Sequence, residues 1–256
     1  MDKSFIENIR VVMVETTHPG NIGAAARAMK TMGYNNLYLV KPKIYPNAEA
    51  TARAAGADDI LGRAVVCQTL EEALQGCVTV VASTARPRTI PHPVFTPRQY
   101  APVLSEMLKL GSVALVFGRE SSGLSNEELE YCNAILQIPT NPEFSSLNVA
   151  SAVQILCYEF NHLLQSGVVD KTDTDSEDSK DREKTRLATA DEMTYFYEHL
   201  EQSMIDVDFL NPQQPRKLMR RLKSLFNRAH LDENEVSILR GFLAAVRETV
   251  TKAKSD

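Results

Sequence analysis

The sequence predicts an α/β protein: a parallel sheet covered by helices on both faces, followed by a small all-α C-terminal domain. Three observations carry this. Apolar, β-branched runs alternate with helix-like stretches through roughly the first 165 residues, the pattern of parallel strands buried on both faces. Asp170–Asp181, DKTDTDSEDSKD, then interrupts it with six acids, two lysines and no large apolar side chain. Such a segment cannot bury enough surface to offset chain entropy and reads as a linker. Beyond it, apolar residues recur only at helical spacing. The chain therefore divides into a sheet domain at 1–169, an acidic linker at 170–186 and a helical domain at 187–256.

Ile9–Val14, IRVVMV, is the first strand, and Asn21–Met32, rich in Ala and Met, the helix after it. Leu37–Val40 is the next strand and Ala48–Ala57 an Ala-rich helix. Val65–Cys67, Val78–Ala82, Val113–Phe117 and Ile135–Ile138 are further strands. Helical stretches at Glu71–Gln75, Thr96–Leu110, Asn126–Tyr131 and Asn148–Leu164 separate or follow them. Three apolar stripes mark three tail helices: Met193, Phe196, Tyr197, Leu200 and Met204; Leu218, Leu222, Leu225, Phe226 and Ala229; Val236, Leu239, Leu243, Val246 and Val250.

Composition narrows the function classes. With 256 residues, 43% hydrophobic and 24% charged, the chain is neither disordered nor fibrous. The opening MDKSFIENIR lacks an apolar signal region, and no run of about 18 apolar residues exists, so a cytoplasmic protein without a membrane span is expected. Cys67, Cys77, Cys132 and Cys157 form no C-x-x-C pair and read as reduced, at least partly buried thiols. The five histidines stand singly, so no metal site is expected. The net charge of −5 counts mildly against nucleic acid, whose phosphates call for Lys and Arg.

Three loops that follow strands are rich in Gly, Ser and Asn. Thr16–Arg27, TTHPGNIGAAAR, carries G-x-x-G rather than the G-x-G-x-x-G of a dinucleotide loop. Taken alone, Arg27 reads equally as a surface arginine or a functional one. Gly118–Glu127, GRESSGLSNE, ends in a helix start with Ser125 as N-cap and Glu128 three residues on. Its Gly118, Arg119 and Glu120 fall at a strand's carboxyl end, where open α/β sheets hold ligands. Pro139–Asn148, PTNPEFSSLN, leads Ser145, Ser146 and Asn148 into a helix, as capping residues or as ligands to a bound group.

NIGAAAR (21–27), VFGRESSGLSNEEL (116–129) and IPTNPEFSSLNVASAV (138–153) together resemble motifs 1, 2 and 3 of the SPOUT methyltransferases, in the branch of tRNA and rRNA ribose 2′-O-methyltransferases. The opening IRVVMVETTHPGNIGAAARAMKTMG, the segment STARPRTIPHP (83–93) and LRGFLAAV (239–246) extend the resemblance over nearly the whole chain. The acidic linker matches least.

The resemblance implies a trefoil-knotted parallel-sheet domain, a fold exceptional among chain connections, and a homodimer that binds S-adenosylmethionine in the knotted loops. By position, the cofactor contacts would be Ser83, Thr84, Ala85, Gly118, Ile138, Ser145, Ser146 and Leu147. The reaction would be attack of a ribose 2′-hydroxyl of cytidine or uridine on the activated methyl, at position 32, the first nucleotide of the tRNA anticodon loop. No metal would be needed. Arg27 would be the motif 1 arginine that positions or deprotonates the hydroxyl, and stabilising a phosphate or alkoxide is the easier task for a side chain that stays protonated. Asn21, Glu120, Asn148 and Ser146 would complete the catalytic set, the first three orienting loops.

The tail adds its own signal. Arg216–Arg228, RKLMRRLKSLFNR, holds six basic residues and no acid. At about 100° per residue, Lys217, Arg220, Arg221 and Arg228 share one side, opposite the Leu218 stripe. That is an amphipathic helix with a basic outer face, expected to meet tRNA phosphates. The charge divides accordingly: −2 over 1–169, −4 over 170–181 and +1 over 182–256. Alternatives are a methyltransferase for another tRNA or rRNA site, a non-catalytic RNA-binding adaptor, and a nicotinamide or flavin enzyme, which the missing G-x-G-x-x-G disfavours.

Overall fold

The computed structural model describes residues 4–85, 92–165, 185–215 and 217–253. Seven strands form one sheet: β1 Ile9–Val14, β2 Asn36–Val40, β3 Val65–Cys67, β4 Cys77–Ser83, β5 Val94–Phe95, β6 Ser112–Phe117 and β7 Ala134–Leu136. Their order is β3-β2-β1-β6-β4-β7-β5, and every pair is parallel. Side chains alternate across β1 as the two-residue period requires. Val11 and Met13 enter one core, Val12 and Val14 the other.

The first core is thick. It is covered by α1 Ser4–Glu7, α2 Pro19–Thr31, α3 Ala48–Ala54, α4 Asp58–Arg63, α6 Pro97–Leu110 and α8 Val149–Gln165. The opposite face carries only the short α5 Leu70–Leu74 and α7 Asn126–Leu129. Of the tail helices α9 Ala190–Asp206, α10 Leu218–Ala229 and α11 Glu233–Ala253, α9 and α10 dock on that side. Ala190 packs against the second core, and the backbone N–H of Gly76 donates to Asp191 Oδ1 at 2.9 Å. The tail has a core of its own, in which Phe196 meets Phe226 edge-on at 5.0 Å.

Several sequence expectations change in detail. The helix read over Ala48–Ala57 ends at Ala54, because Ala55 (φ 45°) and Gly56 (φ 92°) turn left-handed, and the next helix, α4 from Asp58, went unread. The strand read over Ile135–Ile138 ends at Leu136, and β5, two residues long, was too short for any periodicity to reveal. Residues 166–184, which hold most of the acidic segment, lie outside the described residues. Arg186 is bonded into the tail, to Glu192 and to Glu233.

The largest correction concerns α10. The expected apolar inner face docks only in part: Phe226 packs in the tail core, whereas Leu225 is 49% exposed and the polar Ser224 and Asn227 are buried. The side that carries Arg220, Lys223, Ser224 and Asn227 faces the sheet domain, where Glu127 and Glu130 offer carboxylates and the main chain offers carbonyls. Arg220, expected on the outer basic face, is paired to both glutamates. Lys217, Arg221 and Arg228 are exposed. Charge complementarity, invisible to a helical wheel of one element, sets the orientation.

Candidate active site

Three loops at the carboxyl ends of β4, β6 and β7 enclose an open cavity lined by both apolar and small polar residues, as small-molecule sites are. Ser83, Thr84 and Ala85 form the wall after β4. Thr84 N–H donates to Leu136 O at 3.1 Å, which fixes this turn to β7. Gly118, Arg119, Glu120 and Gly123 form the wall after β6, and Ile138, Thr140, Ser145, Ser146, Leu147 and Asn148 the third. Phe117, Val149 and Ala152 add apolar surface. All eight positions assigned to a cofactor by resemblance line this one cavity.

The wall after β6 is built on a close backbone approach. A Cβ on Gly118 would lie 2.2 Å from the carbonyl carbon of Gly123, so only glycine permits it. Arg119 N–H donates to Gly123 O at 3.2 Å, and Gly123 N–H to Arg119 O at 2.9 Å. The Arg119 guanidinium reaches Glu128 Oε1 at 2.9 Å and Glu15 Oε1 at 2.7 Å. Those two carboxylates raise its pKa further, Glu128 most, and Arg119 in turn holds Glu15 below the ordinary carboxylate range. Glu128 also closes the capping box with Ser125 that the sequence suggested.

Glu120 joins this wall to α2 and α8. Its Oε1 accepts from Asn21 Nδ2 at 2.8 Å, and its Oε2 from Thr17 Oγ1 at 2.9 Å. The backbone N–H groups of Thr17 and His18 also donate to it. Burial alone would raise the Glu120 pKa, but these hydrogen bonds outweigh it and keep the carboxyl ionised to lower pH. Asn21 Oδ1 accepts from Asn148 Nδ2 at 2.9 Å, while Asn148 Oδ1 caps α8 through Ala150 N–H. Three residues distant in sequence thus lock the motif-bearing loops together.

Arg27 stands apart. It is exposed on α2 and does not line the cavity, and its guanidinium makes no hydrogen bond or ion pair among the described residues. Ser146 lines the mouth and is exposed, beside Phe144, which is 80% exposed. Sequence reasoning missed Phe144, Thr140 and the partners of Arg119. The one available signal was the aromatic in the middle of PTNPEFSSLN. Among the described residues no cluster of His, Cys, Asp and Glu could hold a metal, and no helix is long and apolar enough to cross a membrane. All four cysteines are free and buried.

Comparison with known proteins places these features in context. Residues 8–158 match the model of the SpoU rRNA Methylase family. Residues 191–255 match the model described as tRNA methyltransferase TrmJ, C-terminal domain. The chain is 48% identical to the tRNA (cytidine/uridine/adenosine-2′-O-)-methyltransferase TrmJ of Pseudomonas aeruginosa, over 95% of each chain. It is 44% identical to the tRNA (cytidine/uridine-2′-O-)-methyltransferase TrmJ of Pectobacterium atrosepticum, over 95% of this chain and 98% of that one. Among solved structures, TrmJ from Z. mobilis superposes with a TM-score of 0.79 at 32% identity, covering 93% of this chain and 98% of that one.

Proposed function

The chain belongs to the SpoU rRNA methylase family, and from that premise we propose that it transfers a methyl group from S-adenosylmethionine to a ribose 2′-hydroxyl of tRNA. The finer reading is cytidine or uridine at position 32, the first nucleotide of the anticodon loop, by a cytoplasmic homodimer whose sheet domain carries the trefoil threading. One observation carries the reading: the eight cofactor positions share one cavity, and Glu120, Asn21 and Asn148 interlock at its rim.

The cavity fits the donor in chemistry. Its walls offer main-chain groups and the hydroxyls of Thr84, Ser145 and Ser146 to an adenosyl group, against apolar Phe117, Ile138, Leu147 and Val149. When bound, S-adenosylmethionine supplies an electrophilic methyl on a positively charged sulfur. The protein's own part is positioning, because the methyl is already activated. Glu120, Asn21 and Asn148 keep the motif-bearing loops after β1, β6 and β7 in register and so fix the rim at which the reactants align. Arg27, unpaired among the described residues, is left to a phosphate or to the 2′-oxygen as its negative charge grows. It does not act as the base, because a guanidinium stays protonated. Exposed Phe144 offers a face on which an unstacked base can lie. Lys217, Arg221 and Arg228 are the outward cations for phosphate, with Arg220 engaged elsewhere.

The second copy is expected along α8 and α11. Tyr158 on α8 is 51% exposed, and Ile238 and Phe242, one turn apart on α11, are 72% and 66% exposed.

Labelled S-adenosylmethionine with unmodified tRNA tests the activity, followed by mapping of 2′-O-methylated nucleotides. Label at the first anticodon-loop nucleotide is expected. Label at another nucleotide would move the substrate site. No transfer with intact S-adenosylhomocysteine binding would sink the methyltransferase reading, and no binding at all would leave the RNA adaptor.

A further inference from the structure

The cavity wall after β6 and the tail are joined by one short element. α7 is a single helical turn, too short to hold itself in place. On one side Glu128 grips Arg119, whose backbone forms the wall with Gly123. On the other side the neighbouring glutamates are held from the tail. Arg220 Nε meets Glu130 Oε1 at 2.7 Å and its Nη2 meets Glu127, while Lys223 Nζ meets Glu130 Oε2 at 2.9 Å. The side chains of Lys223 and Glu130 are only 23% and 15% exposed, so water screens this pair less than a surface pair.

The seam beneath carries a chain of hydrogen-bonded amides. Asn227 Nδ2 donates to Glu130 O at 2.8 Å, just past the end of α7. Asn227 Oδ1 accepts from Tyr197 Oη at 2.6 Å, and Asn227 O accepts from Asn133 Nδ2 at 2.9 Å. Asn133 Oδ1 in turn accepts from Val80 N–H of β4 at 2.8 Å. Two carboxylates set against two cations, above paired amides, define a single docked position.

We propose that Arg220 and Lys223 of α10 are positioning residues for the methyl-donor site. By fixing Glu127 and Glu130 they fix α7, and through Glu128 and Arg119 they set the wall at Gly118–Gly123. The inference rests on reading the cavity as the donor site. It gives the tail a task toward the small ligand, separate from any contact with RNA. It also sets the exposed cations Lys217 and Arg221 on the same helix that braces the donor wall, so RNA and donor binding become linked through α10, and such linkage acts equally in both directions.

Calorimetry with S-adenosylhomocysteine on the full chain is the test, paired with hydrogen exchange of the 118–124 amides. The double variant Arg220→Gln/Lys223→Gln should weaken binding about threefold to tenfold and speed exchange at those amides. In turnover, KM for the donor should rise while kcat stays near the wild-type value. Lys223→Arg should restore affinity, and Lys252→Gln on α11 should change nothing. Wild-type affinity and exchange in a folded double variant would overturn the proposal. Should the double variant fail to fold, Glu127→Gln replaces it, because that side chain is 68% exposed. A weakening of about twofold supports the proposal there, and wild-type values overturn it. If the wild type itself binds no S-adenosylhomocysteine, the donor-site reading falls. The exchange comparison then still decides whether α10 braces the wall.

Discussion

At the scale of the residue, the site is a set of small polar groups whose partners lie far away in sequence. Glu120 meets Thr17, His18 and Asn21 across about a hundred positions, and Asn21 meets Asn148 across more. Motif resemblance named Asn21, Glu120 and Asn148, but no local signal could pair them or bring in Thr17 and His18, because each hydrogen bond closes only when the loops meet above the sheet. Arg119 shows the same limit. Its place after a strand was legible, whereas its grip on Glu15 and Glu128 was not. Two predictions belong here. Arg27→Ala should lower turnover at least about a hundredfold, the usual cost of losing one stabilising donor at a developing charge, with S-adenosylhomocysteine affinity unchanged. Activity near wild type would remove Arg27 from the reaction. Gly118→Ala forces a Cβ to 2.2 Å from Gly123 and should cost about 1–3 kcal/mol of stability, read by denaturant melts, together with most of the ligand affinity. A variant that melts and binds like the wild type would show that the wall has slack.

At the scale of the element, period and capping were good guides and orientation was not. The box at Ser125–Glu128 reads directly from the sequence. At the start of α9 Glu192 closes the cap with Thr189 and pairs with Arg186. α10 is where pattern misled. Its apolar stripe promised an inner face, yet the acidic end of α7 drew the cationic side inward and left Leu225 half exposed. The Arg186 hydrogen bond most of all, with help from the Thr189 N–H and hydroxyl, lowers the Glu192 pKa from 4.5 to about 2. A depressed carboxyl stabilises the fold above the unfolded pKa and loses that contribution as pH falls through the folded one. The melting-temperature gap between wild type and Arg186→Met should therefore be full above about pH 5 and close between pH 4.5 and 2. A gap that ignores pH would mean that Arg186 acts through packing alone.

At the scale of the molecule, the class was legible and the assembly was not. Alternating runs announced a parallel sheet, but strand order depends on which crossovers return beside which strand, and no run of residues encodes that. The net charge of −5 also misleads when taken whole, because an acidic segment supplies most of it. The proposed dimer makes a prediction at this scale. Phe242→Glu, alone or with Ile238→Glu, should raise the dimer dissociation constant at least tenfold, measured by sedimentation. Each side chain is more than 60% exposed in the single chain, so folding should survive. An unaltered dimer would exclude that face of α11.

The sheet order has one more consequence, in time. β1 is a central strand, and its second neighbour is β6: Ile9 pairs with Val113. A ribosome adds roughly 5–20 residues per second, so β1 waits on the order of 5–20 s after its own synthesis before that neighbour exists. Once β2 has been made, a strand of six residues, IRVVMV, still has an open ladder on its other side for the rest of that interval. The β1–β2 pair is therefore left with an open edge during translation. The nascent protein depends on shielding until residue 117 has cleared the exit tunnel.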